Sequence, residues 1–501
     1  MTRPRTAWPA IALATLLGTA PAQAIEEVVI KLPLLETTFN VRVSELGSAD
    51  ALLRGNSDLA ELDRASGGSL GRQLQSLLRQ PLPLSLNKVT DQAVGTPMLG
   101  QAMLMLSSFG RIDGQPSDLS GEELRHVLEQ ASANGRPTLL SLLQAIPGRT
   151  VTLDLAQVAR VLQRMVAQRR QAEQLVSSLP PVAAARTPSR AGSVERRSLS
   201  LAVSHRPQLL ELTVLQPQGG SNGRLVLISH GLWDRPASFE GWGQILAAAG
   251  YTVVLPRHPG SDAQQQQAML SGQAPPPNHQ ELELRPLDLS AVIDAVDAGQ
   301  LQLGPAVNTR QVVVIGHSWG ATTGLLLAGV QPSDRQETRC ADANDPGRNL
   351  SWALQCSWLQ GVGNDRLGDG RVIAVGAVSP PVSLLFPPGS GQALSARVLL
   401  VSGSRDWVVP PDPEAIKPMR ANVANGNRLV LAKGGDHFNL RPGADASGGV
   451  LGPLLLSWTN ASFQAGTAVR PAPQAPNLLP PAGWGDAALT LVDVSDHIAQ
   501  P

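Results

Sequence analysis

Apolar and polar positions follow two different rhythms along this chain. Up to about residue 178 the apolar residues recur at helical spacing. Leu70, Leu74, Leu77 and Leu78 fall at i, i+4, i+7 and i+8, and Leu155, Val158, Leu162, Met165 and Val166 trace a second stripe. Ser120-Gly-Glu-Glu123 reads as a capping box ahead of Leu124, Val127 and Leu128. One strand, Glu27 to Leu32, precedes these helices and is stopped by Pro33. Beyond residue 198 the rhythm changes. Short apolar runs at Leu225–Ile228, Val312–Ile315, Val398–Val401 and Leu429–Ala432 alternate with helical patterns. That alternation is the signal for a mostly parallel sheet with helices on both faces. The predicted organisation is a smaller, mostly helical domain over 25–178, a Pro/Ala/Ser/Arg-rich linker over 179–197, an α/β domain over 198–465 and a Pro/Ala-rich tail over 466–501. Two polar excursions, 261–285 and 331–370, interrupt the α/β pattern.

The first 24 residues change the picture of where the chain works. Met1-Thr-Arg-Pro-Arg5 is basic, Ala10 to Ala20 is a short apolar run, and Ala22-Gln-Ala24 is a small-residue cleavage site. This is the form of a secretory signal peptide, so the mature chain is expected to be periplasmic or extracellular. The apolar run is too short to span a bilayer, and no later segment approaches spanning length. Retention of the segment as an anchor stays open. Forty basic and forty acidic side chains balance, so charge points to no nucleic-acid partner. The two cysteines, Cys340 and Cys356, are the only ones. In an exported chain such a pair predicts a disulfide, the alternative being two buried thiols. Neither C-x-x-C nor H-E-x-x-H occurs, so no metal or other cofactor is expected.

Candidate chemistry centres on Gln311-Val-Val-Val-Ile-Gly316-His317-Ser318-Trp319-Gly320. A β-branched run meets G-x-S-x-G, and a helix-like apolar run follows. This is the sequence form of a nucleophile elbow. Ser69 and Ser221 also lie in G-x-S-x-G pentapeptides, but neither follows a strand and precedes a helix. A serine hydroxyl needs a base, and the base needs an orienting acid. Asp406 follows the apolar run at Val398–Val401, and His437 follows the run at Leu429–Ala432, 31 residues later. The order Ser, Asp, His is the order this elbow requires. Asp436 is the rival acid. The loop Ser229-His230-Gly231-Leu232-Trp233 follows the run at Leu225–Ile228. It predicts one oxyanion donor at the Leu232 N–H, with the second at the Trp319 N–H. His230 precedes the nucleophile and is expected to prop this loop.

The His-Gly-Leu loop, the Gly250-Tyr-Thr-Val-Val-Leu-Pro-Arg-His-Pro-Gly-Ser261 segment and the Gly-His-Ser-Trp-Gly elbow resemble predicted dienelactone hydrolases. They are also similar to platelet-activating-factor acetylhydrolases, in the α/β-hydrolase superfamily. The resemblance covers roughly 198–460 and implies an α/β-hydrolase fold, with Leu232 and Trp319 as the oxyanion donors. Dienelactone hydrolases themselves use a cysteine nucleophile, where this chain has Ser318. The N-terminal region resembles a helical domain of unknown function that precedes such hydrolases in cyanobacterial proteins.

The function expected is a serine hydrolase of carboxylic esters, working through Ser318, His437 and Asp406 and an acyl-enzyme. Trp233, Trp319, Trp407 and Phe438 are expected to wall a small acyl site, which favours short acyl chains. The rival within enzymes is a lipase or phospholipase A type of lipid esterase. The rival from another class is a non-catalytic binding protein that keeps the fold. The partner is a small-molecule or lipid ester, and the sequence leaves the oligomeric state open.

Overall fold

The computed structural model describes residues 24–33, 37–82, 86–184, 192–304, 307–363, 366–466 and 475–498. The predicted signal peptide lies outside the described residues apart from Ala24. Two compact units are present.

The smaller unit comprises residues up to Leu82, Gly110–Pro116 and Val127–Asp154. Helices dominate it, as their periodicity predicts. It also holds a sheet of four strands in the order β2-β1-β4-β3, where β1 is Glu27–Lys31, β2 Thr38–Arg42, β3 Gly110–Ile112 and β4 Thr150–Asp154. β1 pairs antiparallel with β2 and parallel with β4. Ile25, Val28 and Val43 pack with Leu143, Ile146 and Val151 to form its core. β2 (Thr-Phe-Asn-Val-Arg) and β4 (Thr-Val-Thr-Leu-Asp) do alternate polar and apolar residues, a signal that sequence reasoning missed, while the three residues of β3 are too few to show a pattern. The helix Leu139–Ala145 begins at a capping box in which Thr138 and Ser141 bond each other's backbone N–H.

The larger unit comprises Pro83–Phe109, Ser117–His126 and everything from Leu155. The helices Leu86–Ala93, Pro97–Phe109, Leu155–Ala167 and Arg170–Ser178 cluster here, although all four precede residue 178. Periodicity reports an apolar stripe and not whether anything covers it: Leu155, Leu162 and Val166 are exposed. Ahead of the helix Glu122–Ala131, the Asp118 carboxylate accepts from the Gly121 and Leu124 N–H groups at 2.8 and 3.0 Å. Ser120 takes only the Glu122 N–H.

Among its described residues the unit has nine strands: β5 Val194–Leu201, β6 Leu210–Pro217, β7 Arg224–Ser229, β8 Thr252–Pro256, β9 Asn308–His317, β10 Val372–Val378, β11 Arg397–Gly403, β12 Arg428–Ala432 and β13 Leu491–Asp493. They lie in the order β13-β12-β11-β10-β9-β7-β8-β6-β5. The six strands from β12 to β8 run parallel; β6 and β13 pair antiparallel with their neighbours. Side chains of alternate residues enter opposite layers, as a pleated strand requires. Leu225, Leu227, Val312 and Val314 pack with Leu289, Val292 and Ile293 of the helix Glu281–Asp297. Val226, Ile228, Val313 and Ile315 pack with Trp242 and Leu246 of the helix Glu240–Ala248 and Leu455 and Trp458 of the helix Gly452–Ala465. Each such fully buried aliphatic side chain contributes about 1.5–3 kcal/mol, so both faces of the sheet drive folding.

Two segments are more deeply packed than their composition suggests. The excursion at 331–370 contains the helix Trp352–Leu359, whose Trp352 and Trp358 are buried and whose Cys356 bridges to Cys340. The Pro/Ala-rich C-terminal stretch supplies β13. Arg428 of β12 meets Asp493 and Asp496 at 2.6 and 2.9 Å, and Trp484, Val492 and Ile498 are buried. Composition alone marks such a stretch as tail, because a three-residue strand leaves no periodicity.

Candidate active site

β9 ends at His317, and the helix Trp319–Leu327 begins two residues later, so Ser318 alone makes the turn. Its backbone has φ 53° and ψ −122°, outside the conformations that a non-glycine residue adopts freely. Such strain costs about 1–3 kcal/mol and persists only where the surroundings enforce it. Here they do. The Ser318 N–H donates to the Val378 carbonyl at 2.8 Å at the end of β10. A Cβ on Gly316 would lie 2.2 Å from the Gly320 carbonyl, and one on Gly320 would lie 2.0 Å from the Ser229 carbonyl. Both glycines are therefore required by the close crossing of strand and helix. Ser318 is 8% exposed, and among the described residues its hydroxyl has no hydrogen-bond partner.

The loops after β11 and β12 bring Asp406 and His437 together. His437 Nδ1 lies 2.9 Å from Asp406 Oδ2, and Asp406 is fully buried. The other carboxylate oxygen accepts from the Val408 and Val409 N–H groups at 3.0 and 2.8 Å, which fixes its rotamer. The loops after β11 and β12 are stitched together: Arg405 N–H donates to the Gly435 carbonyl at 2.8 Å, and Gly434 N–H to Ser404 Oγ at 2.9 Å. Gly403 and Gly435 allow this approach, since a Cβ on Gly403 would lie 2.3 Å from the Gly435 oxygen. Asp436 is otherwise occupied, accepting from the Phe438 and Asn439 N–H groups in a local turn. His317 adds a tie that sequence reasoning missed. Its Nε2 lies 2.9 Å from the His437 carbonyl, and the two rings are 4.8 Å apart. Burial, followed by the neighbouring His437, holds the His317 imidazole well below its ordinary pKa, so it donates Nε2–H as a neutral ring. The signal was the histidine inside the elbow itself.

β7 and β9 are neighbours with Ser229 opposite Gly316, so the His230–Leu232 loop lies beside the elbow. A Cβ on Gly231 would fall 3.3 Å from Ser318 Cβ. Among the described residues the Leu232 and Trp319 N–H groups donate to no backbone carbonyl, while the neighbouring Trp233 N–H is taken by Ser261 at 2.8 Å. His230 props the loop: its Nδ1 lies 2.8 Å from the Gly231 carbonyl, and its Nε2 accepts from the His258 N–H at 3.1 Å. Burial and the nearby Arg285 keep that ring neutral. Of the four aromatic residues expected to wall the site, Trp407 and Phe438 are 44% and 48% exposed, with centroids 6.4 Å apart. Trp319 departs from that expectation. Its indole is fully buried against Trp358.

A second hydrogen-bonded Ser–His–Asp series lies behind the loop. Ser229 Oγ is 2.9 Å from His258 Nε2, and His258 Nδ1 is 2.7 Å from Asp288 Oδ2. All three are fully buried. Arg206 joins Asp288 at 2.6 Å and grips Glu281 with two bonds of 2.8 and 2.9 Å. Desolvation, then Arg285, pulls His258 down to about 4. The guanidiniums of Arg206 and Arg285 already offset Glu281 and Asp288, so a further proton finds no unbalanced anion. Asp288 is held far below the usual carboxylate range: burial opposes this, but His205, His258 and Arg206 bond its charged form. The sequence held only one hint of this network, His258 in the Pro-Arg-His-Pro-Gly-Ser segment.

Residues 225–487, more than half of the chain, match the alpha/beta hydrolase family. The chain belongs to this family. The matched stretch begins in β7 and contains the elbow, the Asp406 and His437 loops and the His230–Leu232 loop. No curated protein matches the chain. In this alpha/beta hydrolase no group of three or more His, Cys, Asp or Glu among the described residues could hold a metal ion. No described helix is long and apolar enough to cross a membrane. A cavity of about 300 Å³ lies at the far end of the elbow helix, lined by Leu325, Trp352, Phe386 and Met419; Ser318, Asp406 and His437 do not line it.

Proposed function

We propose that this alpha/beta hydrolase is an exported serine esterase that cleaves carboxylic esters, with Ser318 as nucleophile, His437 as base and Asp406 as the acid that orients it. The observation that carries the reading is the enforced backbone of Ser318, raised on the elbow one residue ahead of the uncommitted Trp319 N–H. His437 Nε2 takes the Ser318 proton as Oγ attacks the ester carbonyl. The tetrahedral oxyanion accepts hydrogen bonds from the Leu232 and Trp319 N–H groups. Collapse expels the alcohol, which takes the proton from His437. Water, deprotonated by the same imidazole, then attacks the acyl-enzyme and frees the acid and Ser318. Asp406 holds Nδ1–H, which leaves Nε2 to do this work. Hydrogen bonds to a catalytic serine are commonly long before substrate binds, so the unbonded Ser318 hydroxyl is compatible with this role.

Export is supported by the basic and apolar N-terminal segment and by the Cys340–Cys356 bridge, which suits an oxidising compartment. A second reading, a lipid esterase akin to the platelet-activating-factor acetylhydrolases, is favoured by the exposed Trp407 and Phe438 beside Asp406 and His437. The test is hydrolysis of nitrophenyl acetate by purified protein and by Ser318→Ala. The variant is expected to keep its fold and lose at least about ten-thousandfold in kcat. A folded Ser318→Ala with activity near that of the parent contradicts the assignment.

A further inference from the structure

Arg285, on the helix Glu281–Asp297, is a fully buried cation that the reaction above does not use. Its guanidinium is poorly satisfied for such a site: Nε and Nη1 have no hydrogen-bond partner. Only Nη2 is engaged: it donates to the carbonyls of His230 at 3.0 Å and Gly231 at 3.3 Å and lies 3.2 Å from His230 Nδ1, all in one loop. The guanidinium also lies over the Trp319 ring, 4.6 Å from its centroid. These contacts have one thing in common. The Gly231 carbonyl belongs to the peptide whose other end is the Leu232 N–H. Trp319 carries the second uncommitted N–H. One side chain therefore touches both halves of the candidate oxyanion hole from behind.

We propose that Arg285 is a positioning residue for the oxyanion hole, acting through the Gly231–Leu232 peptide and the Trp319 ring. This rests on Ser318 being the nucleophile. A peptide is planar, so holding its carbonyl toward Arg285 turns its N–H the opposite way, toward the elbow. A charged donor on the carbonyl also draws electron density along the amide and strengthens the N–H as a donor. Stacking over the indole restrains the residue that follows Ser318. The partly unpaired guanidinium is a costly thing to bury for stability alone. Lysine does not replace it, because an ammonium has no flat face to stack while it bonds two carbonyls.

The test compares Arg285→Met and Arg285→Lys with the parent on an ester and on its thiono analogue, in which sulfur replaces the carbonyl oxygen. Sulfur is a weak acceptor, so the ratio of kcat/KM for ester over thionoester reads the oxyanion hole itself. Both variants are expected to lose about tenfold to hundredfold in kcat on the ester with KM within about threefold, less than the loss of a whole donor. The ester-to-thionoester ratio should shrink by a similar factor. Asp406→Asn serves as the contrast, since it damages the base and should leave that ratio unchanged. An unchanged ratio in either folded variant overturns the proposal, as does unchanged kcat, or failure of both variants to fold. If Ser318 is not the nucleophile, Ser318→Ala keeps its activity, which separates that failure from this one.

Discussion

Two sets of Ser, His and Asp sit within one unit of this molecule, and only one of them is proposed as the catalyst. Ser229, His258 and Asp288 form the better hydrogen-bonded chain, with both links made at 2.9 and 2.7 Å. Ser318, His437 and Asp406 have only the His–Asp link, at 2.9 Å. By hydrogen bonds alone the first would be preferred. Access and strain reverse the order. Ser229 ends a regular strand, is fully buried, and faces Gly320 across a backbone crossing that admits no extra atom. Ser318 is held in a strained turn, and it and His437 keep a little exposure where Ser229 and His258 have none. Hydrogen-bonded completeness marks a group that the fold has used up. On the reading proposed above, Ser318 is the serine left free for a substrate.

The largest expected effect separates the two acids. Asp406→Asn should keep the fold and cost about ten-thousandfold in kcat, because an amide favours the wrong tautomer of His437. Asp288→Asn should instead cost about 3–5 kcal/mol of stability by unbalancing buried Arg206, with kcat per folded molecule within a few-fold. Chemical unfolding and steady-state kinetics on both variants check this. A stability loss in Asp406→Asn without a kinetic one would invert the comparison.

The next effect concerns acid. His230, His258 and His317 are neutral and buried, with pKa values held below the ordinary histidine value. The unfolded chain therefore binds more protons in the acid range. Stability should be fully present above about pH 6.5 and fall as the pH drops toward about 4, the value to which His258 is held. Unfolding temperatures across that window test it. Removing one titrating ring with His258→Gln should flatten the slope. A parent that is equally stable at pH 7 and pH 4 contradicts it.

How far this division was legible in the sequence follows from what each part leaves in local pattern. The elbow, the strand before it and the helix after it are contiguous, so Ser318 and its two glycines stand out as a motif. Asp406 and His437 each follow a strand end, and chain order paired them. The second series left only His258 as a hint. Ser229, His258 and Asp288 sit on three different elements, and no short motif marks them. Arg285 was missed for the same reason: its partners lie on the loop after β7 and on the elbow, more than thirty residues away on either side. Unit boundaries also escaped: the stripe in Leu155–Ala167 leaves Leu155, Leu162 and Val166 exposed, so its periodicity marks no buried face that could assign the helix to either unit.

Two smaller effects sharpen the comparison from outside it. Cys340 and Cys356 close a loop of 16 residues next to Trp352, so Cys340→Ser with Cys356→Ser should lower stability by about 3 kcal/mol. Activity per folded molecule should hold. Equal stability of parent and double variant under oxidising conditions contradicts this. Smaller still is the acyl preference. Nitrophenyl acetate and butyrate should exceed palmitate in kcat/KM by about tenfold if Trp407 and Phe438 bound a short site. A maximum at octanoate or beyond favours the lipid-esterase reading.

The most direct measurement is labelling with a fluorophosphonate, which bonds only to an activated serine, followed by peptide mapping of the modified residue. One label per chain is predicted, on Ser318, at full rate in Ser229→Ala and absent from Ser318→Ala. A label on Ser229, or labelling that survives Ser318→Ala, would contradict the account.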